Sequence, residues 1–469
     1  MTDSKLIFLL KTFEKAEWRR FREYLASPYF NKRTDLLDFY DCIYRTYPDL
    51  AEKTLKKQRV FQTLYPGLPY DDKQMRYLMN YTLQAAENFL GQQKLDALSL
   101  RYNYVLEELV ERKLPKHSKK YFDKIGTLRP AEGERATEFY FTQYKLADTA
   151  IHYQSSRGVR QDHGQLSATT KQLDRFYFYH KLKYSCAMLN RQQLFSTQYD
   201  LELADALHQY LSNQELADPL IAIYFRIYAL LTQPDKADHF RQLKMLIRNH
   251  RAQISVAENQ EIFLYAINYC SQRIKYNVDI EYHANEALDL YLEGIREGIL
   301  LTDGFLSPWN FKNVVKLGIN LRRYDFTEQF IQDYHLQLAP AFQADALHYN
   351  LADLAYRKGN YDAAQHHLLQ VAYSDIFYTL GAKTMLLKIY YENQEIESLF
   401  SLIASFSILL RRHKKISDTY RETYLNFATL LGQVVRTRRD RSDELKKRIQ
   451  TTELLTNRAW LLEICEKIR

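Results

Sequence analysis

Glycine and proline are scarce in this chain of 469 residues, with 13 and 10 copies, each under half of the average usage. The scarcity argues against folds that need many tight turns or glycine-rich phosphate loops, and a hydrophobic fraction of 46% excludes a mainly disordered chain. The net charge of +8 is uneven, because residues 411–469 hold 15 Lys and Arg against 8 Asp and Glu, which leaves +7.

No apolar run approaches the roughly 20 residues that a membrane-spanning helix needs. The first ten residues include only five consecutive apolar ones, residues 6–10, too few for a secretory signal. The cysteines lie far apart, mostly on predicted apolar helix faces: Cys42, Cys186, Cys270 and Cys465. We predict reduced core thiols and a cytoplasmic protein that does not bind membranes.

Residues 1–95 are predicted to form an N-terminal helical domain. Thr12 is expected to cap a helix whose apolar face is Trp18, Phe21 and Leu25, spaced for one side of a helix. Short turns rich in proline then separate the helices that follow, which favours a small helical unit with its own core.

A long helix is predicted to begin at Asp71 or Asp72, directly after a tight turn. Its polar face carries Lys73, Arg76 and Asn80. The helix, turn and second helix faintly resemble the DNA-binding part of winged-helix regulators, which implies contacts with phosphates and base edges, although no strand pair for a wing follows. The same residues also fit the solvated face of any amphipathic helix, and both interpretations stay open.

Residues 96–135 are predicted to be a helix and a basic linker. Lysines crowd there among two prolines and two glycines: Lys113, Lys116, Lys119, Lys120 and Lys124. Such a stretch is typical of a solvated linker, and binding of an acidic partner is the alternative.

Residues 136–300 are predicted to be irregular helical repeats. Two aromatic runs, residues 139–141 and 176–179, lie among good helix formers without turn residues, so helices are expected rather than strands. The runs fit either a seam between stacked hairpins or a peptide groove lined by aromatic side chains.

A helix start is predicted just after this segment. Ser307 is a suitable N-cap and Pro308 suits the first helical position, where its missing N–H costs nothing. Trp309 and Phe311 are expected to face a neighbouring hairpin.

Residues 301–410 show the clearest internal repetition, at a spacing of about 35 residues. Three sets of residues share a register: Phe326, Tyr361 and Ile396; Leu317, Ala352 and Leu387; Leu321, Tyr356 and Tyr391. A helical hairpin buries one face only, so neighbouring hairpins must stack to complete a core.

The middle unit of this segment resembles a tetratricopeptide-like repeat. The match rests on Leu351 and Ala352 in the first helix, Gly359 and Tyr361 at the turn, and Ala364 in the second helix. The family's usual residues are replaced at Ala355, Val371 and Ile376. The resemblance covers about a fifth of the chain and implies an all-α fold of stacked antiparallel helical hairpins, a TPR-like α-solenoid, after the N-terminal helical unit.

Residues 411–469 are predicted to be a basic C-terminal helical cap that ends in a helix at residues 452–468. Its cations form a possible binding surface: Arg411, Arg412, Lys414, Lys415, Arg436, Arg438, Arg439, Arg441, Lys446 and Lys447. The last unit of a repeat array needs a polar outer face, which explains such charges without a ligand. A basic helical face can equally track nucleic-acid phosphates.

Motifs of the common enzyme classes are missing from the sequence, among them the P-loop, Gly-x-Gly-x-x-Gly, His-Glu-x-x-His and Gly-x-Ser-x-Gly. The adjacent His366 and His367 point to different helix faces, and we predict no metal and no cofactor. We therefore expect a non-catalytic scaffold that binds a protein or peptide segment on a helical surface. The alternative is a nucleic-acid-associated regulator that uses a basic helical surface.

Overall fold

The described chain is almost entirely α-helical. The computed structural model describes residues 1–50, 55–97, 100–127, 137–157, 164–194, 198–371, 376–413, 416–437 and 442–467. These ranges contain 23 α-helices, two 3-10 turns and one two-stranded hairpin, which confirms the predicted all-α class. Contacts divide the chain into two units, Met1–Ala131 with Thr137–His180 and Lys181–Arg469. The finer boundaries expected at residues 95, 135, 300 and 410 stay predictions.

The first unit contains eight helices and the start of a ninth: α1 (Lys5–Leu10), α2 (Lys15–Ala26), α3 (Thr34–Tyr44), α4 (Lys57–Leu64), α5 (Asp72–Ala97), α6 (Leu100–Glu111), α7 (Pro115–Thr127), α8 (Thr137–Ser156) and α9 (Gln165–Leu194). Aromatic rings fill the core of α1–α5. Trp18 is fully buried, and its ring centroid lies 5.6 Å from that of Tyr40. The apolar face predicted for α2 is confirmed, since Phe21 and Leu25 are also buried.

Thr12 does not cap α2, contrary to the prediction. Its hydroxyl donates to the carbonyl of Leu9 at 2.6 Å and so closes the end of α1. Helix α2 begins after Glu14, whose backbone N–H donates to the Glu17 carboxylate at 2.9 Å. The long helix α5 starts as predicted, with the Asp71 carboxylate accepting from the backbone N–H of Lys73 at 2.8 Å.

The prediction of a basic linker is wrong for residues 115–127, which form the helix α7. Lys113, with φ +57°, ends the preceding turn and allows a new helix to begin at once. Ile125 on α7 packs with Leu106 on α6 and Tyr153 on α8. The lysines of this stretch all lie on the exposed side, so their charges do not prevent one face of the helix from being buried.

The aromatic runs are helical, as expected. Tyr140 on α8 and Tyr179 on α9 are both buried, and their rings stack with centroids 4.4 Å apart. Phe141 and Tyr177, by contrast, are exposed. Burial of the stacked pair favours the seam interpretation for these two tyrosines.

The second unit contains the rest of α9 and the remaining elements: α10 (Ala204–Ser212), α11 (Pro219–Thr232), α12 (Ala237–His250), α13 (Val256–Lys275), α14 (Ile280–Arg296), β1 (Leu301–Thr302), β2 (Phe305–Leu306), α15 (Pro308–Asn320), α16 (Tyr324–Tyr334), α17 (Pro340–Arg357), α18 (Tyr361–Leu368), α19 (Ile376–Glu392), α20 (Ile396–Arg412), α21 (Asp418–Arg436), α22 (Ser442–Thr451) and α23 (Arg458–Glu466). Consecutive helices from α11 to α20 pack as five hairpins, and each hairpin contacts the next. The first helices α15, α17 and α19 also pack directly on one another.

One turn geometry recurs between the two helices of four hairpins. Asn277, Arg322, Gly359 and Gln394 have φ of +58°, +55°, +78° and +59°, each two residues past the end of the first helix. At each turn, two crossed backbone hydrogen bonds close the helix end, as Gly359 N–H to Tyr356 O and Asn360 N–H to Ala355 O do. This is the Schellman ending of a helix, and it recurs in four of the five hairpins.

The spacing between the equivalent turn residues of successive hairpins is not the constant 35 residues on which the three predicted sets were aligned. It is 37 residues from Arg322 to Gly359 and 35 from Gly359 to Gln394. The first member of each predicted set is therefore wrong by two positions: the buried Val315, not Leu317, is equivalent to Ala352. The connection that follows α16 contains a 3-10 turn at His335–Gln337, which breaks the constant period.

The helix start at Ser307 is confirmed, since its hydroxyl accepts from the Trp309 backbone N–H at 3.3 Å. Phe311 is fully buried and its ring centroid lies 5.3 Å from that of Phe330 in α16, the other helix of its own hairpin, whereas Trp309 is 55% exposed. The expectation that both side chains face a neighbouring hairpin stays a prediction. Strands β1 and β2 form a hairpin ahead of this helix that the sequence analysis missed. Asp303 and Gly304, both at positive φ, make its two-residue turn.

The final helix is shorter than predicted and begins at Arg458 instead of residue 452. The Arg458 guanidinium donates to carbonyl oxygens at the end of α22, among them that of Gln450 at 2.6 Å. Because this side chain closes α22, the chain turns between residues 452 and 457 before α23 starts.

Three of the four cysteines, Cys186, Cys270 and Cys465, are buried, and Cys42 is half-buried; all four are free thiols. Burial raises the pKa of the Cys186 thiol well above its ordinary value, as expected of a structural cysteine. In the described part of the chain, no helix is both long and apolar enough to cross a membrane.

Candidate functional site

The three residues of the helix face that was predicted to contact DNA lie together on α5. Lys73, Arg76 and Asn80 are all exposed. Arg76 Nε lies 2.9 Å from Asp72 Oδ2, so an ion pair already offsets its charge. Arg76 and Asn80 also line a pocket of about 550 Å³ together with the first six residues of the chain. The N-terminal segment therefore lies beside this face of α5 and reduces the part of it that a ligand could reach.

The structure separates the C-terminal cations into two groups. Arg411 and Arg412 are exposed at the end of α20. The Arg436 guanidinium at the end of α21 lies 4.4 Å from the ring centroid of Phe400, in the first half of α20. Phe400 and Arg411 are 11 residues apart on one helix, a rise of about 17 Å. Arg436 therefore lies about 17 Å from Arg411 along the axis of α20, and a single surface formed by all the C-terminal cations stays a prediction.

The remaining predicted cations are distributed as follows. Lys447 is exposed on α22, and Lys446 Nζ lies 3.8 Å from Glu466 Oε1. The rest lie outside the described residues: Lys414, Lys415, Arg438, Arg439 and Arg441.

A different group of charges converges on the stacked first helices. Lys316 on α15, Asp353 on α17 and Lys388 on α19 each lie six residues before the positive-φ residue of their hairpin. Equivalent positions on helices that pack directly on one another come close in space. With Lys312 on α15 and Arg357 on α17, they form what we call the cation cleft.

Asp353 lies at the centre of the cation cleft. Burial raises the pKa of its carboxyl group, while Arg357, Lys312, Lys388 and Lys316 all act to lower it. A quarter of the Asp353 side chain is nevertheless accessible to solvent, and Arg357 Nε is 4.0 Å from its Oδ1. Four cations therefore surround the Asp353 carboxylate, while Glu392 and Glu463 also act on Lys388.

Lys388 has the most unusual environment in the cleft. Its Nζ lies 4.6 Å from the ring centroid of Tyr356 and 5.1 Å from that of Trp460. Across the described residues it makes no hydrogen bond and no ion pair. Burial, followed by the repulsion of Arg357, lowers the pKa of this amine to about 8. Two aromatic faces only partly replace water around the ammonium group.

Helix α23 forms one wall of the cation cleft. The Trp460 indole N–H donates to the Glu392 carboxylate at 3.0 Å, and its ring lies 5.5 Å from that of Tyr391. These contacts fix Trp460 over Lys388. The C-terminal segment predicted as a cap therefore also shapes the cleft.

Sequence reasoning missed the cation cleft, although one signal was available. Aligning the chain on its hairpin turns places Lys316, Asp353 and Lys388 at one position. A constant spacing of 35 residues obscured this, since 37 residues separate Lys316 from Asp353. Trp460 was beyond sequence reasoning, because it reaches the cleft from a helix more than 65 residues downstream.

No family model, no curated protein and no solved structure matches this chain. Its class is therefore defined by the fold and the site alone. The described chain is an all-α protein of packed helical hairpins with a charged, ring-lined cleft on three consecutive first helices.

Proposed function

We propose that this protein is a non-catalytic scaffold whose cation cleft binds a segment of a partner protein. The observation that carries the proposal is Lys388, a half-buried ammonium group that makes no hydrogen bond and no ion pair within the described structure, so that Asp353, Glu392 and Glu463 act on it only from a distance. Leaving a charge this poorly solvated costs stability, which a bound carboxylate would offset.

The partner segment we propose is acidic and partly aromatic or apolar. Arg357 adds an exposed cation near Lys388, and Lys316 adds another near Asp353. A peptide carboxylate placed beside Lys388 and Arg357 would form charge-assisted hydrogen bonds. Tyr356 and Trp460 offer ring surface for a neighbouring side chain. Asp353 would disfavour a second carboxylate at its own position and so set the register of the segment.

We also propose kinship with tetratricopeptide-like repeats and a cytoplasmic location. The kinship is supported by hairpins of 35 and 37 residues with a common turn and by Gly359 at the left-handed position. The location is supported by four free thiols.

Selection from a displayed peptide library tests the proposed function. The baits are the wild-type protein, Lys388→Met, Lys388→Glu and, as a matched control, Lys275→Glu, which reverses an exposed lysine on α13. We expect acidic peptides that bind wild type and the control but bind both Lys388 variants at least tenfold more weakly. Lack of enriched acidic peptides, or equal binding to all four baits, would refute the proposal.

The alternative, a nucleic-acid-associated regulator, is tested by capture from cell extract with and without nuclease. Partners that survive nuclease support the scaffold. Recovery of mainly nucleic acid, with binding that falls steeply between low and moderate salt and is weakened by Arg76→Glu or Lys447→Glu, would support the regulator.

A further inference from the structure

A second pocket lies between α10, α11 and α12, well away in sequence from the cation cleft. Its volume is about 380 Å³, within the range of small-molecule sites. Its wall combines polar and apolar side chains: Arg226, Gln214, Gln242, Asn249, Phe225 and Met245.

Arg226 is the principal group of this pocket. Its side chain is half-buried, and within the described structure its guanidinium makes no hydrogen bond and no ion pair. Asp238 is the carboxylate that acts on it electrostatically, but Asp238 already accepts from Gln242 Nε2 and lies 3.8 Å from Arg241. A guanidinium taken partly out of water normally has a fixed carboxylate partner, and this one does not.

Other polar atoms around Arg226 are also unsatisfied. Gln242 Oε1, His208 Nε2 and both ring nitrogens of His239 are buried and lack hydrogen-bond partners among the described residues. Burial is the largest cause of the lowered pKa of both histidines, and Arg226 also contributes, so Arg226 lies near both imidazole rings. Buried polar atoms without partners are rare in proteins, and these four lie near Arg226, where a bound polar molecule or water would satisfy them.

We propose that the α10–α11–α12 pocket binds a small organic oxyanion, a carboxylate or a phosphate ester, through Arg226. The planar guanidinium presents two parallel N–H donors, the geometry that both kinds of oxyanion accept. Gln214 and Asn249 supply further donors, and the exposed Met245 covers an apolar or aromatic body. The Phe225 ring, stacked on His208, lies 5.0 Å from the Arg226 guanidinium and supports it. The inference does not depend on the scaffold function, since it concerns different helices.

Benzoate and phenyl phosphate are the probes that test this site and separate its two possible ligand classes. Titration calorimetry on the full chain is expected to show one saturable site for at least one of them, with inorganic phosphate as competitor. Arg226→Gln should weaken the binding about tenfold or more, the value of a charge-assisted hydrogen bond. Arg241→Gln, which removes an equally charged but exposed side chain of α12, should leave it unchanged.

Thermal stability separates a ligand-binding arginine from a structural one. Without anion, Arg226→Gln should be at least as stable as wild type, since it removes a poorly solvated charge; with saturating probe, only wild type and Arg241→Gln should be stabilised. A large loss of stability in Arg226→Gln without anion, equal binding by the variants, or no saturable binding of either probe at millimolar concentration would overturn the proposal.

Discussion

Lys183 and Lys388 are two half-buried lysines of the second unit with opposite electrostatic behaviour. Lys183 Nζ lies 2.7 Å from Glu258 Oε2 and 3.0 Å from Glu261 Oε2, and Tyr224 OH donates to Glu258 Oε1 at 2.6 Å. Burial acts to lower the pKa of Lys183, but the two carboxylates outweigh it and the pKa is raised. For Lys388 burial prevails, and the pKa falls to about 8.

Burial by itself therefore does not decide whether the pKa of a lysine is raised or lowered. Lys183 connects α9 to α13 through an ion-pair network, so its charge is used within the fold. Lys388 faces two rings, and within the described fold no carboxylate comes close enough to form an ion pair with it. The first arrangement specifies packing, and the second is available to a ligand.

The largest effect is expected from Lys183→Met. Removing one partner of a buried ion pair leaves the Glu258 carboxylate, only 5% exposed, without its cation. We expect a loss of about 3–5 kcal/mol in the free energy of unfolding, measured by chemical denaturation at pH 7. Lys171→Met, at an exposed lysine of the same helix, should cost little. Similar stabilities of the two variants would contradict the comparison.

Lys388→Met should instead increase the free energy of unfolding. The folded pKa of about 8 lies below the ordinary 10.5, so below pH 8 the folded state carries the whole penalty of the buried charge. Methionine removes that penalty, and we expect a gain of at most about 3 kcal/mol at pH 7. Wild-type stability should rise with pH between 8 and 10.5, because the unfolded state there binds more protons.

The advantage of Lys388→Met should therefore disappear as the pH approaches 10.5. Denaturation of both proteins across this pH range checks the prediction, since other titrating groups cancel in the difference. A constant difference, or a variant less stable than wild type at pH 7, would show that Lys388 is satisfied in the fold.

A smaller effect is expected from Glu261→Gln, which removes one of the two carboxylates that hold Lys183. The side chain of Glu261 is 37% exposed, and Lys183 keeps its closer contact with Glu258. We expect a loss of about 1 kcal/mol by chemical denaturation. A loss as large as that of Lys183→Met would mean that the network fails as a whole when either carboxylate is removed.

The smallest effect concerns the ring that faces Lys388. In a double-mutant cycle of Tyr356→Leu and Lys388→Met, we expect a coupling free energy of about 0.5–1 kcal/mol at pH 7, from the cation–π contact at 4.6 Å. The coupling should shrink at pH 10, where the amine is neutral. A coupling that does not change with pH would reduce the contact to ordinary packing.

Local patterns predicted the elements of the fold well. The apolar spacing of Trp18, Phe21 and Leu25 is enough to orient α2, because a helix with such a face must bury it. Ser307 caps the start of α15, and Gly359 forms the turn between α17 and α18. Both were predictable because caps and turns depend on residues that are neighbours in the sequence. The lysines of residues 115–127 misled because charge density says nothing about the opposite face of the helix.

The site was much less accessible to sequence reasoning. The basic C-terminal residues lie close together in the sequence, yet Arg411 is at the end of α20 and Arg436 packs against Phe400 in the first half of that helix. Lys388 looks like any other helical lysine, because the two rings around it come from α17 and α23, which meet α19 only in the folded protein. The same holds for Arg226, whose pocket needs three helices.

The sequence by itself determined the all-α class, most helix positions and the hairpin organisation, because helix periodicity, caps and turns act within a few residues along the chain. Only the tertiary structure decided which charges are paired. The pKa of Lys183 depends on Glu258 and Glu261, 75 and 78 residues away, and that of Lys388 on burial by neighbouring helices and on Arg357, 31 residues away. Desolvation and Coulomb interactions depend on distance in space, so the two lysines became different only when the helices stacked.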